Sequence, residues 1–342
     1  MILSTIQELR LHLPSNAVDE VALLQGVLDN SEKDFLLDKL GTSLYDRLCE
    51  YYNKETTPDD FFYSITSGTY ASDPWAILLL NAQRMIANDA MARYVYQQAV
   101  SVNGAGVNVA SSTDYAAADT KLIEKGVQGY RKEAMTSLNI LLTTLETWAE
   151  QINTPAEADT DETTDDADTT DSTATAAHEA IAEIVTLWQE SRYYYLHGDL
   201  LIPTCTILQE YLDVYPDRDK FIRLLPDLRF IQDEYVTDAI GEDVIANLLR
   251  STADTDKRLL RRVRRLMVAY LEERTQVLSI DKSRRQQAHD EAIALKENII
   301  NAIKEKQKAA EEATATADTV SSNEGYKNNQ DGTRMFVSPL LY

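Results

Sequence analysis

The chain carries one pattern twice, 200 residues apart, and this restricts its architecture more than any other feature. Residues 23–48 (LLQGVLDNSEKDFLLDKLGTSLYDRL) and 224–249 (LLPDLRFIQDEYVTDAIGEDVIANLL) set Leu24 on Leu224, Leu28 on Leu228, Phe35 on Tyr235 and Asp38 on Asp238. Leu40 falls on Ile240, Gly41 on Gly241, Leu44 on Val244 and Leu48 on Leu248. Most matches lie three or four apart, the spacing of the buried stripe of consecutive helices. A glycine at the same place in both copies suits a helix end, where φ turns positive and a Cβ is costly. Gly41 and Gly241 are therefore expected to be structural helix caps, with Thr42-Ser43 or Glu242-Asp243 opening the next helix. A chain of 342 residues can hold two such units, each with its own core.

Each copy leads into a long helix. In the first, Asp73-Pro74 opens WAILLLNAQRMIANDAMARYVYQQAV, with proline in the first turn. In the second, Asp256 opens KRLLRRVRRLMVAYLEERTQVL. Leu80, Arg84 and Ile86 match Leu260, Arg264 and Leu266 at an offset of 180, so the second copy lacks 20 residues of loop, and the first copy's loop (KETTPDDFFYSITSGTYAS) is expected to cover a surface. Val100, Val102, Val107 and Val109 alternate around Asn103-Gly104, a short hairpin signal and the single strand pair expected. Two helices are expected over 119–151, where Ala134, Leu138, Leu141, Leu145 and Trp148 keep a coiled-coil-like spacing. Helices are also expected over 178–197, 200–213 and 283–315, the last with few core residues.

Residues 153–177 hold eight acids, no Lys or Arg, and no aromatic or large aliphatic residue. Such a segment cannot bury enough apolar area to offset its ordering entropy, so a disordered acidic linker is expected. Its aspartates lack the central Gly and final Glu of a calcium loop. The expected fold is all-α: two related helical bundles joined by that linker, with at most one short β-hairpin and a C-terminal helix plus arm. The boundaries are 1–152, 153–177, 178–282 and 283–342. The chain ends in a polar stretch and then MFVSPLLY. Met335, Phe336, Val337, Pro339, Leu340, Leu341 and Tyr342 form an apolar arm that needs something to bury it, either its own domain or a neighbouring subunit.

No catalytic or metal-binding constellation emerges, and no cofactor is expected. His12, His178, His197 and His289 are isolated from one another, and none has a second histidine at ligand spacing. His197 lies near Asp199, an acid–base pair on paper, but a histidine near a helix C-terminus is the ordinary reading. Gly104-Ala105-Gly106 is followed by no lysine and is not a phosphate loop. Cys49 and Cys205, one in each half and set in apolar patterns, read as buried thiols in a reducing, intracellular compartment. No apolar run reaches the ~18–20 residues of a membrane span, and Glu8 interrupts the N-terminal apolar stretch, which is not expected to be a signal peptide.

With a net charge of −23 the chain repels phosphate backbones on average, so sequence-specific DNA binding is not expected. The exception is Lys257, Arg258, Arg261, Arg262, Arg264 and Arg265, opposite the apolar stripe of Leu259, Leu260, Val263, Leu266, Met267 and Tyr270. This basic patch reads either as a solvated face paired with Asp254, Glu272 and Glu273, or as a contact with an acidic protein surface in preference to DNA. The run Tyr193, Tyr194, Tyr195 with Trp188 reads equally as a binding face and as helix packing.

At the helix–Gly–helix block the chain resembles an uncharacterised two-repeat helical family of phages and prophages of Bacteroidota, including crAss-like phages. The resemblance is carried by Leu40-Gly41 with Leu44, Tyr45 and Leu48, by Ile240-Gly241 with Val244, Ile245 and Leu248, and by Trp188, Ser191 and Tyr194 before the second copy. It covers most of 1–280; the acidic linker and the charged C-terminal helix depart from it. It implies a virion structural protein that resembles head–tail connector or adaptor (neck) proteins, forming a ring at the portal vertex and dodecameric if matched to the portal. The implied partners are copies of itself, the portal protein, tail or neck proteins, and passing DNA bound without sequence specificity; no membrane is involved. The implied location is the virion, after assembly in the host bacterial cytoplasm. The hairpin would face the channel and the arm a neighbour. The alternative is a non-catalytic soluble helical interaction or regulatory module encoded by a phage or prophage.

Overall fold

A computed structural model describes residues 1–13, 21–98, 100–103, 106–109, 120–153, 170–191, 194–196, 200–213, 217–278 and 280–337. The fold is all-α with one two-stranded hairpin among these residues. Close contacts divide the chain into two units, Met1–His197 with Tyr215–Asp219, and Gly198–Val214 with Lys220–Tyr342.

In the first unit, α1 (Ile6–His12) is capped by Thr5, whose side chain accepts from Glu8 N while Glu8 reaches back, a capping box. Then come α2 (Gln25–Ser31), a π-helical stretch (Glu32–Leu36), α3 (Leu37–Leu40) and α4 (Thr42–Glu50). Gly41, at φ 81°, separates α3 from α4. The expected surface loop contains a helix instead, α5 (Pro58–Ser67): Thr57 caps it, Pro58 opens it and Phe61 is buried. A proline at the first position and a threonine before it are start signals that an aromatic-rich loop reading passes over.

The long α6 (Pro74–Gln98) is buried on most of its circumference, with Trp75, Leu78, Leu79, Ala82, Met85, Ile86 and Met91 all inside. It is the central helix of the unit, so it shows no one-sided stripe. Hairpin strands β1 (Val100–Asn103) and β2 (Gly106–Val109) follow, and Val100 pairs with Val109 and Val102 with Val107. Asn103 pairs with Gly106, so the connection is 104–105 rather than Asn103-Gly104. The two helices expected over 119–151 are one, α7 (Thr120–Asn153), packed along α6.

Helix α8 (Thr170–Gln189) starts eight residues before the expected end of the linker, so 170–177 are helical rather than disordered. The remaining linker residues, 154–169, lie outside the described residues. Helix α8 packs on α4, α6 and α7, which places it in the first unit and not, as the pattern predicts, at the start of the second.

The second unit begins with α9 (Cys205–Gln209), shorter than the helix expected over 200–213, and α10 (Arg218–Ile231), which spans the unit boundary. A π-helical stretch (Gln232–Thr237), α11 (Asp238–Ile240), Gly241 at φ 94° and α12 (Glu242–Arg250) repeat the order seen 200 residues earlier. Helix α13 (Asp254–Arg274) opens two residues before Asp256 and packs on α14 (Lys282–Val337), 56 residues long. The expected end near 315 and the polar stretch beyond it are corrected: the helix continues through both.

The two units also share a polar device that the apolar pattern conceals. In the first, Ile2 N donates to Glu32 Oε1 (2.6 Å) and Gln83 Nε2 donates to Ile2 O (2.6 Å). In the second, Leu201 N donates to Gln232 Oε1 (2.8 Å) and Arg264 Nε donates to Leu201 O (2.7 Å). Both groups of one buried backbone residue are thus satisfied by side chains from the π-helical stretch and the long helix. Thr204 caps α9 by accepting from Ile207 N, as Thr5 caps α1.

Gln83 joins a second chain of bonds. His12 Nε2 lies 3.2 Å from Gln83 Oε1, and Gln83 Nε2 donates to Glu8 Oε1 at 2.9 Å. Since the amide oxygen can only accept, His12 is the donor. Burial pushes the His12 pKa down to about 4, from an ordinary 6.5. The folded state therefore favours the neutral ring, and its contribution is complete above pH 6.5. It is lost as the pH falls from 6.5 towards 4, where the unfolded chain takes up the proton first. That loss amounts to about 3 kcal/mol. Comparing urea midpoints of the wild type and His12→Asn at pH 7 and pH 4 checks this: the gap between them is expected to shrink by about that amount.

Candidate functional site

Helix α13 gives the most distinctive surface. Its buried side, Leu259, Val263, Leu266, Met267 and Leu271, faces the core. At 100° per residue, Lys257, Arg261, Arg265, Arg258 and Arg262 fall within about 140° of one another on the other side, and span about 12 Å along the axis. All five are exposed. Among the described residues, the side chains of Lys257, Arg258, Arg261 and Arg262 form no ion pair or hydrogen bond, and that of Arg265 reaches Glu291 at 3.1 Å.

Among the described residues, none of Asp254, Glu272 and Glu273 forms an ion pair with this face. Glu272 instead accepts from Arg284 Nη2 (2.5 Å), and Glu273 lies 2.9 Å from His289 Nδ1. Asp256 is held by Lys306 and Ser251. Arg264, grouped with the patch by sequence, is half-buried and bound to Leu201 O, so it is a structural residue. What remains is a stripe of five cations, four unneutralised, on a helix fixed by its own core. Such a face attracts acidic surfaces at long range and can pair with carboxylates or phosphates at short range.

The other candidates fare differently. The aromatic run is internal packing: Trp188 meets Tyr194 and Tyr195 edge-on at 5.0 and 5.5 Å, and all three are buried. Tyr193, His197 and Asp199 lie outside the described residues, as do Gly104 and Pro339–Tyr342. Met335, Phe336 and Val337 form the last turn of α14. Burial pushes the Cys49 thiol up, away from the thiolate a nucleophile needs, and Cys205 is buried. Among the described residues no group of three or more His, Cys, Asp or Glu could hold a metal ion, and no helix is long and apolar enough to cross a membrane.

The Gly caps are structural, as the sequence predicts, and for two different reasons. Both adopt positive φ, but a Cβ on Gly41 would lie 2.2 Å from Ser191 Oγ, whereas one on Gly241 would meet nothing within 4 Å. Sequence reasoning does not find the close approach, because Ser191 follows α8, 150 residues away.

Residues 36–164 match a family of unknown function, DUF6712. The match covers α3 to α7 and stops before the second unit. No curated protein and no solved structure matches the chain.

Proposed function

We propose that this chain is a non-catalytic assembly subunit: a phage virion protein of the head–tail connector class, forming a ring at the portal vertex. The observation that carries the assembly role is the cationic stripe on α13, where four of the five cations have no acidic partner among the described residues. An acidic chain that keeps such a face open is built to meet an acidic protein surface. The resemblance of the helix–Gly–helix blocks to a family of phages and prophages supplies the setting, and the repeated order of elements in the two units supports an origin by duplication. The acidic remainder of the surface suits a wall past which DNA moves without adhering.

The test is mass by light scattering, for the purified chain alone and mixed with a phage portal protein. A ring, or a complex formed only with portal, is the expected result; a monomer indifferent to portal would favour the soluble interaction module. The variant K257Q/R258Q/R261Q/R262Q is expected to keep its fold and lose about tenfold or more in partner affinity, with a flatter salt dependence. If the stripe instead retains double-stranded DNA and the variant releases it, the protein-contact reading fails.

A further inference from the structure

In the first unit, α8 is seated against α4, α6 and α7. The seat buries Ile184, Val185 and Trp188, pairs Glu183 with Arg47 Nε at 2.9 Å, and brings Ser191 onto Gly41. The second unit repeats the three helices of that seat, with α12 in place of α4, α13 in place of α6 and α14 in place of α7. Among the described residues it has no counterpart of α8. What lies there is a groove of about 210 Å³ whose aliphatic wall is Val244 and Leu248 of α12, Leu259 of α13, and Ile303 and Ala310 of α14, with Asn247, Gln307 and the Asp256–Lys306 ion pair completing the lining. Asn247 stands where Arg47 does and Val244 where Leu44 does. The volume is below the ~300–1,000 Å³ of a small-molecule site, and five of the nine lining residues are aliphatic with polar groups beside them, so the groove suits a few apolar side chains of a peptide.

We propose that this groove takes the C-terminal segment, residues 335–342, of a second copy of the chain. The segment offers the right side chains in a familiar order: Phe336-Val337 followed by Leu340 repeats the spacing of Ile184-Val185 followed by Trp188. The same copy cannot supply it. From Ala310, at the groove, α14 continues as helix to Val337. At ~1.5 Å per residue that places Val337 about 40 Å beyond the groove. The five residues after it reach at most about 18 Å, so the segment cannot return. Each copy therefore presents a groove at one place and an arm at another, a head-to-tail contact that forms a ring where the rotation closes. Only the ring closure rests on the proposed function; the docking stands on the groove and the length of α14.

The test uses the chain lacking residues 335–342, a labelled peptide spanning 333–342, and the substitutions Asn247→Glu and Ala310→Glu together, both at exposed positions. By fluorescence anisotropy the peptide is expected to bind the truncated chain one to one, and the paired substitutions to weaken it at least about tenfold. The full chain is expected to gain mass with concentration and the truncated chain to stay monomeric. Absent peptide binding, or binding indifferent to the substitutions in a protein with unchanged circular dichroism, overturns the proposal. Self-association through the arm without portal binding would keep it and remove the connector reading. A portal-bound ring indifferent to truncation and to the groove substitutions would do the reverse.

Discussion

Replacing Glu146 with alanine is expected to destabilise the first unit by about 3–5 kcal/mol. Glu146 Oε2 accepts from Arg218 Nη2 (2.8 Å) and Nε (3.0 Å), and its Oε1 accepts from Tyr195 OH (2.6 Å). Both charged side chains are under 10% exposed. With the carboxylate gone, the buried guanidinium loses this counter-charge and the Tyr195 hydroxyl loses this bond. The pair itself is not a large net gain, because desolvation offsets most of its attraction. The double variant Glu146→Leu/Arg218→Met is therefore expected to recover most of the loss. Urea unfolding followed by circular dichroism distinguishes these outcomes. A single variant costing less than about 1 kcal/mol would mean that Arg218 finds water or another partner when its carboxylate is removed.

The second large effect separates the two glycines. Gly241→Ala is expected to cost about 1–2 kcal/mol, the strain of a positive φ alone. Gly41→Ala carries the same strain and also drives a methyl group onto Ser191, where 2.2 Å separates the built Cβ from Oγ. It is expected to cost at least about 3 kcal/mol, because the end of α8 has to lift from α4. The variant Gly41→Ala/Ser191→Gly should fall back to the level of Gly241→Ala, since the next atom, Ser191 Cα, is 3.5 Å away. Thermal midpoints of the three variants decide the matter. Equal losses for both single variants would show that the Ser191 side chain gives way freely.

The fold class and the repeated helix–Gly–helix blocks were legible because apolar spacing and a φ-positive glycine act locally. Leu40, Leu44 and Leu48 mark a buried stripe in any helical context. The hairpin was legible for the same reason, as valines alternating about a glycine-bearing turn. The beginning of α8 was not, since Thr170–Ala177 has no large aliphatic residue. Its alanines favour helix by propensity rather than by burial, a quantity that an apolar pattern does not register. Helix α14 runs on through Gly325 and Gly332, against intrinsic propensity, so local rules end it too early.

The candidate site was half legible. The basic residues of α13 are plain in the sequence, but whether nearby acids neutralise them depends on where α14 places Arg284 and His289. Arg264 looks like its neighbours in sequence and differs only because Leu201 O lies beside it. Gln83, Glu32 and Gln232 were missed altogether, because an isolated polar residue within an apolar stripe reads as a surface position.

Those polar fasteners also set an order of events on the ribosome. Ile2 is fixed by Glu32 and Gln83, 30 and 81 positions later, and Leu201 by Gln232 and Arg264, 31 and 63 positions later. At ~5–20 residues per second, Ile2 waits about 4–16 s for Gln83 to be synthesised, and Leu201 about 3–13 s for Arg264. Through that interval water alone satisfies the amide and carbonyl of each apolar leading segment. Closure over such distances in sequence comes late in folding, after the long helix that supplies the last partner has formed. Each unit is thus latched by the part of it that is made first.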